Sequence, residues 1–295
     1  MPIDLSAISI QKKPFEGEMH DVMGGSARWE VNVHDHGMVG LVDVMPRFAP
    51  VGKTADFAIV QAARVSYGAG TKQVNEDRGL IRYLARHRHT TPFEMVEFKF
   101  HQVMPIFIAR QWIRHRTANV NEYSARYSVV KDRFYHPTME NVRQQSTANR
   151  QGGEVPADAN TAQEFLAHLD QVEAQYKQYE QFIEKGVARE IARIALPASV
   201  YTEWYWKIDL HNLFHFLSLR MDSHAQLEIR DYANAMFALI QPIVPVAAEA
   251  FLDYQFESMH LTRLEIEAIR SGEALKTENK RETAEWETKK GKLGL

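Results

Sequence analysis

The sequence predicts one α+β domain, a central and mainly antiparallel sheet packed by helices, with an extension at each end. Two observations carry this reading. Helix-period and strand-period segments are interleaved without the regular strand–helix–strand alternation of a parallel sheet. The 295 residues, 45% hydrophobic and 25% charged, are ordinary globular material in sufficient length for one large domain. Residues 1–25 are unpatterned and read as an N-terminal arm, 26–260 as the folded domain, and 261–295 as a charged C-terminal extension. From Ser271 onward no apolar face is visible, so the end reads as a solvated tail.

Taken in order, Trp29, Val31 and Val33 alternate with polar residues, and Met38 to Met45 is an apolar run; both read as strands. Thr54 is placed to cap a helix through Ser66, ended by Gly68, and Asn75 to cap another through Arg86. Val96, Phe98 and Phe100 alternate with Glu97, Lys99 and His101, the period of a half-buried strand. Pro105 suits a helix's first turn, and a helix to about Arg116 follows. Tyr123 to Val130 and Arg133 to His136 read as strands, and the polar stretch from Pro137 to Ala159 as a mobile loop. Thr161 with Glu164 forms a capping box opening a helix to about Lys185, broken by Gly186, with a second segment to Leu196. Val200 to Ile208 is β-prone; Asp209 caps a helix through Arg220; further helices span about Ser223 to Ile240 and follow Pro242.

Composition excludes several functions. With no cysteine, the chain has no disulfide, zinc ribbon, iron–sulfur site or thiol nucleophile. Thirty-five Lys+Arg against 38 Asp+Glu give a net charge of −3, which argues against a general nucleic-acid binder. No window of about 18 apolar residues points to a membrane span. Lys12 and Lys13 precede no apolar core, so the start does not read as a signal peptide and a cytoplasmic protein is expected.

One window is conspicuously basic. Between Ala109 and Arg133 stand Arg110, Arg114, Arg116, Arg126, Lys131 and Arg133, against only Glu122 and Asp132. Such a cluster is ordinarily a solvated face. Here Arg110 and Arg114 have i,i+4 spacing, Arg114 to Arg116 fall where the helix should end, and Asn121, Glu122, Ser124 and Arg126 add hydrogen-bonding groups. Planar arginine forks beside hydroxyls grip phosphate and carboxylate, so a phosphorylated ligand is expected. Arg189 and Arg193 repeat the i,i+4 spacing in an apolar context, and Arg220 ends a helix burying Leu213, Phe214 and Phe216, either snorkelling to solvent or focused on a ligand. His211 and His215 have metal-ligand spacing, but no third ligand is obvious beyond Asp222 or His224, so no metal site is assigned. No GxGxxG after a strand, GxxxxGK[ST] or GxSxG is present.

The run Arg114-His115-Arg116 followed after seven residues by Ser124 resembles the RHR-x7-S signature of flavin-dependent thymidylate synthases. The resemblance extends through Thr91-Pro92-Phe93-Glu94, Ala109-Arg110-Gln111-Trp112, Arg126-Tyr127-Ser128, Ala192-Arg193 and Phe216-Leu217-x-Leu219-Arg220, over about Leu41 to Tyr254. It implies reductive methylation of dUMP to dTMP, the final step of de novo dTMP synthesis. The carbon would come from 5,10-methylenetetrahydrofolate, and the hydride from FAD reduced by NADPH. It further implies a homotetramer with active sites shared between subunits.

By the same resemblance dUMP would meet Gln111, Trp112, Ile113, Arg114, Glu122, Tyr123, Ser124, Ala125, Arg126, Arg193 and Arg220. FAD would lie against Thr91, Arg114, His115, Arg116, Glu122, Asp209, Leu210, His211 and His215, with His89 toward folate or NADPH. Some family members carry Asn where this chain has Asp209 and His215. Uracil C5 is a poor nucleophile, and the other thymidylate synthase family activates it by adding a cysteine thiolate at C6. This chain has none, so another group must polarise the ring, and the resemblance, which sets Arg220 facing the pyrimidine, implies that Arg220 does so. Ser124 has no histidine base in register and reads as a ligand-binding hydroxyl. A non-catalytic flavin or nucleotide sensor, and RNA binding through arginines and Tyr123/Tyr127, are the competing readings.

Overall fold

The structure is a computed structural model describing residues 11, 13–14, 17–65, 77–147 and 152–295. Ser66, Gly68 and Asn75, expected to bound two helices, lie outside the described residues.

In chain order, β1 (Met19–Asp21), β2 (Trp29–Val33), β3 (Gly37–Met45) and β4 (Phe48–Pro50) precede α1 (Asp56–Val65), α2 (Asp77–Arg86) and α3 (Thr91–Glu94). Then come β5 (Glu97–Pro105), α4 (Ile106–Trp112), β6 (Asn119–Glu122) and the hairpin β7 (Arg143–Gln145) and β8 (Gly153–Pro156). Next are α5 (Ala159–Ala174), α6 (Tyr176–Glu184), α7 (Arg189–Ala192), β9 (Tyr201–Asp209), α8 (Leu210–Arg220) and α9 (Leu227–Ile240). The chain closes with α10 (Pro245–Phe251), α11 (Arg263–Ser271) and α12 (Lys280–Leu293).

Five strands form the central sheet in the order β2-β3-β5-β9-β6, every pair antiparallel, so the α+β expectation holds. The two long strands at its centre, β5 and β9, pair along their whole length from Glu97↔Asp209 to Pro105↔Tyr201. Period-two burial works as read: Phe98 and Phe100 are fully buried while Lys99 between them is exposed. On the buried face, α8, α9 and α10 supply Leu213, Phe216, Tyr232, Met236 and Ala247, all inaccessible to solvent. At Gly37 a β-carbon would fall 2.0 Å from Tyr232 Oη, which donates to Val103 O at 2.9 Å. Only glycine allows α9 that close to the β2–β3 hairpin.

Several elements differ from expectation. The strand near the signature is Asn119–Glu122, not Tyr123–Val130: β9 pairs with that segment, and one residue past it, after the Tyr123 N to Glu203 O bond, the chain turns away at Ser124. Of Arg133 to His136, only Phe134 makes a bridge, to Val200. Helix α5 starts at Ala159 with Asp158 as its cap, its carboxylate accepting from Thr161 N at 3.0 Å; Thr161 is therefore third in the turn rather than the cap. The expected long helix breaks at Gln175. The stretch from Pro137 to Ala159 contains a short 3-10 turn at Met139–Asn141 and the β7–β8 hairpin. The chain beyond Ser271 is not an unstructured tail: α12 is capped by Asn279, buries Trp286, and its Lys289 binds buried Glu265 of α11 at 2.8 Å. A charged segment anchored by one tryptophan escapes any test for an apolar stripe. No helix among the described residues is long and apolar enough to cross a membrane.

Candidate active site

Pro105 in extended conformation opens α4, a short helix that ends at Trp112. Arg114 therefore lies past the helix, and its expected i,i+4 partnership with Arg110 is replaced by a turn in which Arg114 N approaches Gln111 O at 3.4 Å. Trp112 is fully buried and stacks on Phe216 of α8 with ring centroids 4.7 Å apart. That contact sets the turn carrying Arg114, His115 and Arg116 against the outer half of α8. Helix α8 is itself aimed by Asp209, whose carboxylate accepts from Asn212 N at 2.9 Å and from the Asn212 side chain at 2.7 Å. Leu210 N bonds Val96 O at 2.8 Å, tying its start to the lead-in of β5.

Where the turn meets α8, Arg220 Nε donates to His115 Nε2 at 3.0 Å. The His115 ring stands edge-on to Phe216 at 4.8 Å and faces His215 at 6.1 Å. Burial, with the positive fields of Arg220 and His215, pushes His115 down to about 4. The imidazole is thus neutral, with Nε2 accepting and its proton on Nδ1. Burial also pushes Arg220 down, though a guanidinium stays charged. A carboxylate in place of His115 would hold the guanidinium but cancel its charge. A neutral imidazole orients it and leaves the charge available.

A second group forms where β6 ends. Glu122, the last residue of β6, accepts from Thr202 Oγ1 at 2.7 Å, and Tyr123 N bonds Glu203 O at 2.8 Å. Ser124 then starts a tight turn, accepting from Arg126 N at 3.3 Å through its hydroxyl. Helices α6 and α7 brace that turn: Tyr179 Oη accepts from Val130 N at 3.0 Å, Arg189 donates to Tyr127 O at 2.9 Å, and Glu190 binds Arg126 at 3.0 Å. Ala125 packs against the satellite core of Val130, Phe134, Tyr176, Tyr179 and Val200. Arg193 follows at the end of α7, exposed, as are Ile191 and Ile194 at 55% and 75%, so the expected apolar enclosure of Arg189 and Arg193 is absent within this chain.

The residues expected at one site thus fall into two groups. His115, His215 and Arg220 are in contact, and α3 with Thr91 packs against α8. His211 is half-buried on the first turn of α8, and exposed His89 precedes α3. Glu122 to Arg126 and Arg193 belong to the α6–α7 side, and among the described residues no hydrogen bond or ion pair joins them to the Arg220–His115 pair. Trp112 and Leu210 have fully buried side chains, so ligand could meet only their backbone; Ile113 is exposed at 38%. Among the described residues no group of three or more His, Asp or Glu side chains is arranged to hold a metal ion. Gln226 and Glu228, which hydrogen-bond toward Gln111, carried no motif and were missed by sequence reading.

Arg114, Arg116 and Arg193 have no carboxylate within ion-pair distance among the described residues. Arg114 and Arg116, flanking His115 of the desolvated Arg–His pair, and Arg193 on the α6–α7 side are suited to an anionic, phosphorylated ligand on an α+β frame. Comparison with known proteins sharpens that class. Residues 49–246 match the Thy1 family model, thymidylate synthase complementing protein. A flavin-dependent thymidylate synthase of Dictyostelium discoideum is 72% identical over 287 residues, covering 97% of this chain and 95% of that one. One from Wolbachia pipientis wMel is 54% identical over 242 residues, 82% of each chain. The crystal structure of a UMP/dUMP methylase, PolB from Streptomyces cacaoi, bound with 5-Br UMP, superposes with TM-score 0.65 at 36% identity, covering 76% of this chain and 97% of that one. The chain belongs to the flavin-dependent thymidylate synthase family and is an enzyme of that class.

Proposed function

We propose that the chain methylates dUMP to dTMP, the final step of de novo dTMP synthesis, with 5,10-methylenetetrahydrofolate as carbon donor. Bound FAD, reduced by NADPH, supplies the hydride that completes the methyl group. The donor set fits both phosphorylated ligands: Arg114, Arg116 and Arg193 are free of carboxylates among the described residues, and the exposed Arg126–Glu190 pair is the kind of surface ion pair that a phosphate can displace at little cost. PolB, which has also been solved bound with 5-Br dUMP, supports the same substrate class.

The observation that carries the reading is the Arg220–His115 pair. Uracil C5 must attack an electrophilic methylene, and the chain has no cysteine to add at C6. Arg220, held through Nε by neutral His115, keeps its terminal N–H groups for the negative charge that develops at N3 or a neighbouring carbonyl. Ser124, whose hydroxyl accepts from Arg126 N and meets no imidazole among the described residues, acts as a ligand-binding hydroxyl.

The separation of the two residue groups supports a homotetramer in which the Ser124–Arg126 turn of one subunit completes the Arg220 site of another. Exposed Ile191 and Ile194, and Phe182 at 50%, offer apolar surface for that assembly. Residues 26–260 then form the catalytic domain, with 1–25 and 261–295 as extensions. The purified protein should be yellow, its flavin band bleaching with NADPH in the presence of dUMP. A colourless protein that takes up no added FAD would refute the reading.

A further inference from the structure

Gln111, of the expected nucleotide-binding set, has its side chain held by a chain of three side-chain hydrogen bonds running into the core. Its amide nitrogen donates to Gln226 Oε1, and Gln226 Nε2 donates to Glu228 Oε2 at 2.8 Å. The other Glu228 oxygen accepts from Tyr135 Oη at 3.0 Å. Glu228 is 8% exposed and Tyr135 6%, and both carboxylate oxygens are used.

The carboxylate sets the direction of the whole chain. An ionised carboxylate accepts and never donates, so Gln226 must turn its NH2 toward Glu228 and its oxygen toward Gln111. Gln111 must then give its NH2 to Gln226, which leaves its own oxygen as the free group; among the described residues that oxygen has no partner. Amide orientation is ordinarily ambiguous, but here the buried acid removes the ambiguity. Gln226 is not serving its own helix: it stands at the N-cap of α9, yet its side chain makes no capping bond.

We infer that Gln226, held by Glu228, is a positioning residue that fixes Gln111 as a hydrogen-bond acceptor, so the nucleotide group met there is a donor. The inference rests on the dUMP reading above. A phosphate dianion offers no donor; dUMP offers two, the sugar 3′-hydroxyl and uracil N3–H. Without Gln226 the Gln111 amide rotates freely and loses its preference for a donor.

The test uses the FAD-loaded enzyme and measures Kd and KM for dUMP, its 3′-deoxy analogue and its N3-methyl analogue. Wild-type enzyme should bind one of the two analogues roughly tenfold more weakly than dUMP. Gln226→Leu should bind dUMP and that analogue within about twofold of each other, with KM for dUMP raised and kcat at saturation nearly unchanged. Glu228→Gln, isosteric and able to donate to Gln226, should erase the same discrimination even if Gln226→Leu fails to fold. The inference falls if wild type pays no penalty with either analogue, or if both variants keep the wild-type penalty. Wild-type enzyme that does not bind dUMP overturns the functional reading, and the inference with it.

Discussion

Arg220 and His115 are 105 positions apart in sequence, and their contact is the residue-scale fact on which the site depends. Both were expected near ligand from the resemblance, but not their bond, because side-chain contacts between distant elements leave no trace in local pattern. The same limit explains why Trp112 and Leu210 stood among the expected ligand contacts although their side chains belong to the core. The pH behaviour of His115 follows from its burial. Its value near 4 in the fold lies below the ordinary 6.5, so the unfolded chain takes up the proton first as pH falls. Its contribution is complete above about pH 6.5 and is lost progressively down to about pH 4. Melting temperatures followed from neutral pH downward should fall less steeply for His115→Gln than for wild type; equal slopes would show that His115 does not titrate as a buried neutral group.

Elements were legible where periodicity or a cap was local. The alternation of β5, the apolar run of β3 and the span of α8 from its Asp209 cap to Arg220 were all readable. Elements set by a partner were not: β6 is a strand only where β9 pairs with it, and α12 is held by Trp286 and a Glu265–Lys289 contact rather than by a stripe. Asp209→Ala removes the α8 cap and should cost about 1 kcal/mol, lowering Tm by about 2 °C. A larger role belongs to Asp56, buried at the start of α1, whose carboxylate accepts from Val246 N at 2.9 Å and Ala247 N at 3.1 Å on the first turn of α10. Burial pushes that carboxyl up, and the two N–H groups oppose the shift. Asp56→Ala leaves both donors orphaned and should cost about 3 kcal/mol in denaturant unfolding, with Asp56→Asn recovering part of it. No change in the midpoint would show that the contact is not structural.

At the scale of the whole molecule, the expected site falls into two groups of residues that no hydrogen bond or ion pair joins among the described residues. Composition had already narrowed the proposed chemistry: without cysteine, the chain has no thiolate of its own to activate the ring. Sedimentation should show a species four times the chain mass, and Ile194→Arg, on the exposed α7 side, should shift it toward smaller species with loss of activity. A monomer that turns over dUMP would contradict the shared site. The most direct test of the central claim is tritium release from C5-labelled dUMP by FAD-loaded enzyme with 5,10-methylenetetrahydrofolate and NADPH. Wild-type enzyme should release tritium, and Arg220→Ala, with its FAD content retained, should release it on the order of 10²–10³-fold more slowly. Release by Arg220→Ala at the wild-type rate, or none by wild type, would contradict the account.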